Sequence, residues 1–355
     1  MTAEDGLRIA AGICRSVAQG QSDDQTQALL EREVSALAAI GREHRCLPLL
    51  APALAPIAPP ALTRELDQIV AANWASHELT VATLGPVLRR AHAAGVRVIV
   101  YKGAAHAARS YGEPWRRQMQ DVDLLLDPAG LRALQQLLAA AGYRDLVMPG
   151  RARSAELSHE RTMISDTAGV RMVDLHIHPA PPLRYPFDRE LLFSHARPLR
   201  IFGAPALVLS DEDELVIAAV NQAYDHFRGT LLRAVDGALL IAAGSVDWDR
   251  LLVTAERAGA RAATWLTLRW MRDVAGAQVP DRVFAALRPG VGRSVWLAAL
   301  LGPPGRPAPR FRLHRRLEQA LLTLPLMDRT PTFLAYTARH SGRRLIDAWR
   351  AWRDG

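Results

Sequence analysis

One lysine, Lys102, stands among 44 lysine and arginine residues in this chain of 355, and all the others are arginine. An ammonium is a compact charge with rotatable donors, and it suits some phosphate sites better than a planar guanidinium does. Lys102 follows the apolar run 98–101 and precedes Gly103. We therefore expect Lys102 either to bind phosphate or, as a structural lysine, to reach solvent from a strand end.

Two aspartates, Asp121 and Asp123, begin a second apolar run, and a third acid, Asp174, interrupts the run 170–177. Residues two apart on a strand face the same side, so Asp121 and Asp123 should project together. Carboxylates with no cysteine nearby suit hard divalent ions, and three of them can hold two ions about 4 Å apart. The pattern predicts that all three aspartates bind Mg²⁺, with Mn²⁺ as the alternative ion.

A structural interpretation of the two aspartates is also open. Asp121 would then be a turn residue, and Asp123 would pair with Arg116 or Arg117. Arg117, four residues before Asp121, suits either of two roles, because a guanidinium can hold phosphate or neutralise an acidic cluster. The upstream Lys102 and the later third acid favour the metal site over this alternative.

The third acid belongs to the pattern Asp-x-His-x-His, formed by Asp174, His176 and His178. Two histidines so spaced can bind zinc in a metal-dependent hydrolase, but further ligands would have to follow at later strand ends. The histidines beyond residue 190 fall in stretches whose pattern is helical or irregular. We therefore predict that His176 lines the site and that His178 lies in the turn before Pro179.

The elements that position these residues follow from periodicity and capping signals. Helical spacing covers 5–45 and 63–94, and the proline-rich run Leu47 to Pro60 predicts a connector between them. Asp127 before a proline, and Ser210 before four acids, each predict a helix start. Strands are predicted at 96–101, 122–126, 143–148, 162–165 and 170–177, with a hairpin turn at 166–169.

This order predicts an α+β fold, in which a small mixed sheet is flanked by helices on both sides in sequence. We divide the chain into a helical N-terminal segment at 1–62, a core at 63–187, and a helical C-terminal domain with a basic tail at 188–355. Asp225 and His226 are candidates to line an acceptor or base pocket from that last domain.

Four motifs together resemble the bacterial uncharacterised nucleotidyltransferase family, within the polymerase-β-like nucleotidyltransferase superfamily. The motifs are Lys102-Gly103 through Tyr111, Asp121-Val122-Asp123 with the leucines after it, Gly142-Tyr143, and Val173-Asp174-Leu175-His176. They cover about residues 97–178. The resemblance implies a nucleotidyltransferase core in which Asp121, Asp123 and Asp174 bind the metal ions and carry the catalysis.

The same resemblance implies a reaction and a set of ligands. An NMP would move from an NTP, with ATP preferred, to an acceptor hydroxyl on an unknown small molecule, protein or nucleic acid. From the residues themselves we predict that Lys102, Gly103, Arg117 and His176 bind the nucleotide. One departure matters: the superfamily usually has a serine or glycine after its glycine, whereas this chain has Ala104. A catalytically inactive nucleotide-binding or interaction module is therefore the alternative.

The charge of +8 is concentrated near the C-terminus, where residues 288–355 hold thirteen arginines and four acids. Such a tail can meet RNA, an acidic protein or an anionic membrane surface, although a solvated helical face explains it too. Two cysteines give no disulfide framework, and no apolar run approaches the ~20 residues that span a bilayer. The sequence predicts a cytoplasmic protein.

Overall fold

The computed structural model describes residues 3–19, 27–146, 160–167, 169–170, 172–182, 184–225, 227, 231–301 and 326–328. Some of the sequence predictions concern residues outside these ranges. Those residues are the end of the strand predicted at 143–148, Ala168 of the hairpin turn, His226, and the basic tail after residue 301 apart from 326–328.

Helices form both ends of the described chain, and strands alternate with helices between them. The helices are α1 (Ala3–Ala18), α2 (Gln27–Glu43), α3 (Leu47–Leu54), α4 (Pro60–Ala93), α5 (Lys102–Ser110), α6 (Pro128–Ala140), α7 (Arg189–His195), α8 (Asp211–Tyr224), α9 (Leu231–Ala242), α10 (Trp248–Arg257), α11 (Arg261–Ala275), α12 (Asp281–Leu287) and α13 (Val291–Leu301). The strands are β1 (Ile99–Tyr101), β2 (Asp121–Leu125), β3 (Arg144–Asp145), β4 (Glu160–Ile164), β5 (Met172–His176), β6 (Arg197–Ile201) and β7 (Ala204–Val208).

Within the described residues the strands form one seven-stranded sheet in the order β3-β4-β5-β2-β1-β7-β6. Strands β2 and β5 are parallel, as are β1 and β7, and the other neighbours are antiparallel. The fold is therefore α+β with a mixed sheet, which confirms the predicted class.

Strands β6 and β7 carry the sheet past residue 187, where the sequence analysis ended the core. They form a hairpin whose two turn residues, Phe202 and Gly203, have φ values of +50° and +69°. Two central residues at positive φ match the twist of a hairpin. β6 lies at the sheet edge and has Pro198 between the exposed Arg197 and the half-buried Leu199, so it lacks the alternation by which strands are recognised.

The connector predicted from Leu47 to Pro60 is wrong for its first half, because α3 occupies Leu47–Leu54. Pro48 lies in the first turn, where its missing N–H would have no intrahelical acceptor. Pro52 lies inside the helix, at a cost of about 3 kcal/mol. The four leucines of α3 are buried, and each contributes about 1.5–3 kcal/mol, so burial outweighs the proline.

The sheet has a helix-covered face and a face that carries the site. On the first, Val100 and Leu124 pack in one apolar cluster with Leu88 of α4 and Leu134 of α6. On the second, the side chains of Ile99, Tyr101 and Leu125 pack against residues of α7 and α8. The N-terminal helices share a separate core with α8, α9 and α11.

Two predicted helix starts are confirmed. The Asp127 side chain accepts a hydrogen bond from the Gly130 N–H at the start of α6, and the Ser210 side chain accepts one from the Asp213 N–H at the start of α8. Each side chain satisfies an amide that the helix leaves without a partner. No helix in the described ranges is both long and apolar enough to cross a membrane.

Gly169 fixes the β4–β5 turn against α4, and we expect Gly169→Ala to destabilise the protein. A Cβ at this position would lie 1.8 Å from the Ser76 carbonyl oxygen and 2.8 Å from the Thr80 nitrogen. The turn would have to move, which disturbs the hydrogen bond from the Val170 N–H to Thr80 Oγ1. Urea denaturation should show a loss of about 1–3 kcal/mol in the free energy of unfolding.

Gly12→Ala is the matched control, because Gly12 lies inside α1 and a Cβ at that position would have open space around it. Alanine is the better helix former there, so the free energy of unfolding should rise by up to about 1 kcal/mol. Effects of the same sign at both glycines would contradict the close packing of the turn on α4.

Candidate active site

The register of the sheet brings two of the predicted acids together. Strands β2 and β5 are parallel neighbours, and Asp123 of β2 is paired with Asp174 of β5. Paired residues of neighbouring strands project from the same face of a sheet. On the outer side of this pair, β1 places Tyr101 beside Asp123 and β4 places Thr162 beside Asp174. The two carboxylates are therefore central in a row of four side chains.

A nitrogen donor joins these carboxylates. His176 lies two residues after Asp174 on the same face of β5, and ligand atoms of Asp123, Asp174 and His176 lie within 4.8 Å of one another. Two carboxylates and an imidazole suit a divalent ion such as Mg²⁺ or Mn²⁺. Asp121 lines the same cavity, yet among the described residues it is not part of this cluster. The structure thus places His176, expected at the nucleotide, with the acids.

The alternative zinc pair is not assembled in the described part of the chain. His176 belongs to the acidic cluster, whereas His178 neither joins that cluster nor lines the cavity. Burial and the charge of Arg189 lower the pKa of His178. The geometry supplies no support for an H-x-H hydrolase.

Lys102 binds the Asp123 carboxylate. Its Nζ donates a hydrogen bond of 2.6 Å to Asp123 Oδ1, and His176 Nε2 lies 2.9 Å from that same oxygen. Burial opposes the ionised acid, but Lys102 and His176 outweigh it and hold the pKa of Asp123 well below its usual range. The predicted pairing of Asp123 with Arg116 or Arg117 is therefore not what the structure has, and lysine is the partner.

Asp174 and Asp121 differ from Asp123, because the pKa of each is raised. Burial raises the pKa of Asp174 to about 6, and the nearby charges of Glu160 and Asp123 add to that effect, while a 2.6 Å hydrogen bond from Thr162 Oγ1 opposes it. Burial and the charge of Asp123 also raise the pKa of Asp121. A carboxylate with a pKa of about 6, such as Asp174, can accept or release a proton under physiological conditions.

Gly103 allows Arg117 to approach the start of α5. A Cβ at Gly103 would lie 2.7 Å from Arg117 Nη1, so a larger residue would displace the guanidinium. Arg117 donates to Asp236 of α9 through Nη2 at 2.6 Å and Nε at 3.2 Å, and the Tyr111 hydroxyl donates to Asp236 at 2.8 Å. Arg117 lines the cavity, and in this arrangement its charge is met by Asp236 rather than by the predicted acids.

Sequence reasoning missed Asp236 and Glu214. Asp236 is the one acid of α9, and apart from Arg233 the rest of that helix is apolar, which is a signal that a buried polar partner is needed. Glu214 was interpreted only as part of an acidic first turn of α8. It is 1% exposed, and its Oε1 accepts a 2.9 Å hydrogen bond from the Lys102 backbone N–H at the start of α5.

These residues line one cavity of about 310 Å³ between the sheet and the C-terminal helices. The far side, which we call the helical wall, consists of residues 214–225 and 233–237. It includes Asn221, Tyr224 and Asp225, and Asp225 accepts a 2.6 Å hydrogen bond from Arg233. Asp225 therefore lies where the sequence analysis expected it, on the cavity.

The lining of this cavity is acidic. Seven carboxylates and three Lys or Arg side chains line it: Asp121, Asp123, Glu160, Asp174, Glu214, Asp225 and Asp236, against Lys102, Arg117 and Arg233. Each of the three cations is paired with one of the acids. A ligand that brings divalent cations would meet a favourable field here, whereas a free polyanion would not.

Comparison with known proteins identifies a family. The model of the family described as "Uncharacterised nucleotidyltransferase" matches residues 31–276. The match spans the sheet, the acidic cluster and the helical wall. No curated protein sequence matches the chain.

Asp174→Asn should stabilise the protein in a pH-dependent way. Because the pKa of Asp174 is raised on folding, the folded state binds this proton more tightly between about pH 4 and pH 6, and the resulting stability is lost as the pH rises through that window. The variant keeps an oxygen for Thr162 and should exceed the wild type by on the order of 2 kcal/mol at pH 7.5.

The measurement is urea denaturation of both proteins in EDTA at pH 4.5, 6 and 7.5. The difference between them should shrink as the pH falls. A difference that does not depend on pH would contradict the raised pKa of Asp174.

Asp236→Ala should be strongly destabilising. The substitution leaves the buried Arg117 guanidinium and the Tyr111 hydroxyl without their acceptor, and loss of one partner of a buried ion pair costs about 3–5 kcal/mol. Arg282→Ala, which removes an exposed ion pair with Asp249, should cost about 0–1 kcal/mol. Thermal and urea unfolding measure both, and equal losses would show that Asp236 does not anchor Arg117.

Proposed function

This chain belongs to the uncharacterised nucleotidyltransferase family, and we propose on that premise that it transfers an NMP from an NTP, with ATP preferred, to an acceptor hydroxyl. The observation that carries the proposal is the pairing of Asp123 with Asp174 beside the Lys102-Gly103 turn. It puts acids that suit a metal next to a helix N-terminus that suits phosphate.

Side chains on this face of the sheet can supply the groups that the transfer reaction needs. The acceptor oxygen attacks the α-phosphorus, a P–O bond forms to the acceptor, the bond to the bridging α–β oxygen breaks, and pyrophosphate leaves. The acceptor proton goes to a carboxylate, and Asp174 is suited to take it because burial raises its pKa above that of an exposed aspartate. Asp174 is thus the proposed general base.

Asp123 and Asp174, with Asp121 or His176, would hold the divalent ion, Mg²⁺ or Mn²⁺. When bound, the ion would neutralise charge that develops on the phosphates. The fit rests on the donor set, because two carboxylates converge with one imidazole at a distance that one cation can bridge.

The triphosphate would lie at the start of α5. The first-turn amides of a helix have no intrahelical acceptors, and they can bind phosphate without the serine hydroxyl that this chain lacks at Ala104. Gly103 lets the Arg117 guanidinium lie against this helix start, Arg117 lines the cavity, and Lys102 supplies an ammonium.

The helical wall would receive the nucleobase or the acceptor. Among the described residues, Glu214 Oε2 and Asn221 Nδ2 are buried without a hydrogen-bond partner, and both side chains line the cavity. Such atoms favour a ligand that offers them a donor and an acceptor. Tyr224, which is 48% exposed, presents a ring on which a base can stack.

A catalytically inactive nucleotide-binding or interaction module is the second candidate. Ala104 in place of the usual serine, and the closure of Lys102 on Asp123, favour it. The cytoplasm is the proposed compartment, since Cys14 and Cys46 are free thiols. An RNA, acidic-protein or anionic-membrane partner for the basic tail stays a prediction.

Asp123→Asn should abolish Mg²⁺-dependent transfer, because an amide cannot replace the anionic ligand. Asp121→Asn should lower it as well. The assay supplies each NTP labelled at the α-phosphate, with Mg²⁺ and a cell extract as the source of acceptor, and follows label that enters a product. The expected loss for Asp123→Asn is at least about a hundredfold.

Asp127→Asn is the matched control. Asp127 follows the same strand but caps α6, and asparagine caps helices equally well, so transfer should be unchanged. Wild-type transfer in Asp123→Asn would refute the metal site, and absence of NTP-dependent labelling in the wild type would favour the inactive module.

A further inference from the structure

Lys102 is held in an unusual backbone conformation. Its φ is +54°, in the left-handed region that non-glycine residues seldom adopt. The Lys102 N–H donates to Glu214 Oε1, so a buried acid from α8 fixes this conformation. Strain of this kind costs about 1–3 kcal/mol and persists where surrounding contacts enforce it. The direction in which the lysine side chain leaves the turn is therefore imposed by the fold.

That direction takes the ammonium to the oxygen that a metal would use. Lys102 Nζ lies 2.6 Å from Asp123 Oδ1, and Asp123 is one of the three residues whose ligand atoms converge. His176 Nε2 lies 2.9 Å from the same oxygen, so two nitrogen groups already contact Asp123 Oδ1. An ammonium and a divalent ion cannot both occupy one side of a carboxylate, and each therefore excludes the other there.

Lys102 also has a route away from Asp123. Its side chain is 30% exposed and lines the cavity next to Gly103, where the proposed triphosphate would lie. The four-carbon stem of lysine is flexible, and its charge needs no fixed fork of donors. Rotation about the bonds of this stem can take the ammonium away from the carboxylate and into the cavity.

We infer that Lys102 is a placeholder cation, which neutralises Asp123 while the site is free of metal and transfers to the phosphates when a metal–NTP complex binds. The first half stands on the geometry of Lys102 and Asp123. The second half rests on the proposed function. The inference also accounts for the lysine itself, because a guanidinium bound to Asp123 would leave less readily.

The two halves predict opposite effects of one substitution. In Lys102→Met the side chain keeps its length and loses its charge, so Asp123 has no competing ammonium and Asp121 loses a nearby positive charge. Divalent-ion affinity without nucleotide should rise about tenfold. With the divalent ion saturating, affinity for an NTP analogue that cannot be hydrolysed should fall about tenfold, because a phosphate contact is gone.

Calorimetric titration of the full-length protein with Mn²⁺ alone, and then with the ATP analogue at saturating Mn²⁺, measures both affinities. Lys102→Arg should keep Mn²⁺ binding weak without restoring wild-type affinity for the analogue. Arg42→Met is the control for net charge, since Arg42 forms an exposed pair with Glu65 outside the cavity, and it should change neither affinity. Unfolding curves establish that each variant is folded.

The outcomes separate the possibilities. Opposite shifts in Lys102→Met support the placeholder. Unchanged Mn²⁺ affinity with weaker analogue binding would overturn it and leave Lys102 as a phosphate ligand only, and no change in either titration would make Lys102 structural. Tighter Mn²⁺ binding in a protein that never binds the analogue would overturn the transfer step and the proposed function, while the neutralisation of Asp123 would stand.

Discussion

The site depends on one constraint: two carboxylates must be held side by side on parallel strands although they repel each other. The register of β2 and β5 fixes Asp123 beside Asp174, and the apolar residues that alternate with them on these strands are buried on the opposite face. A shift of the strand register by one residue would point the acidic side chains toward that apolar cluster. The packing of the sheet therefore enforces the electrostatic conflict, which Lys102 relieves at Asp123 and which contributes, with burial, to the raised pKa of Asp174.

Buried ion pairs and hydrogen bonds connect helix α8 to its neighbouring helices α5 and α10. Four consecutive acids open α8, and all are at most 2% exposed. Arg109 of α5 bonds to Asp211, Arg250 of α10 lies 3.1 Å from Glu212, and Glu214 accepts from the start of α5. Ionised groups are costly to bury unless each is paired. This network therefore specifies how α8 sits over the cavity, and it places the helical wall opposite the acids.

Much of the fold could be predicted from local patterns. The caps at Asp127 and Ser210, the strand at β2 and the same-face placement of its aspartates depend on a few consecutive residues. Helix α3 and strand β6 could not be predicted in this way. The prolines of α3 are outweighed by leucine burial among α1, α2 and α4, and β6 is a strand because β7 pairs with it. Both are decided by contacts distant in sequence.

The sequence by itself determined the chemistry that this chain can offer: a lone lysine before a glycine, two same-face aspartates, and a third acid with a histidine two residues later. Tertiary structure decided who pairs with whom. In the folded chain Lys102 pairs with Asp123, and Arg117 pairs with Asp236. His176 belongs to the acidic cluster, whereas Asp121 lies outside that cluster. The physical reason is that spacing fixes which face a side chain occupies, whereas ion pairs and metal clusters depend on distances between strands and helices that only the packed fold sets.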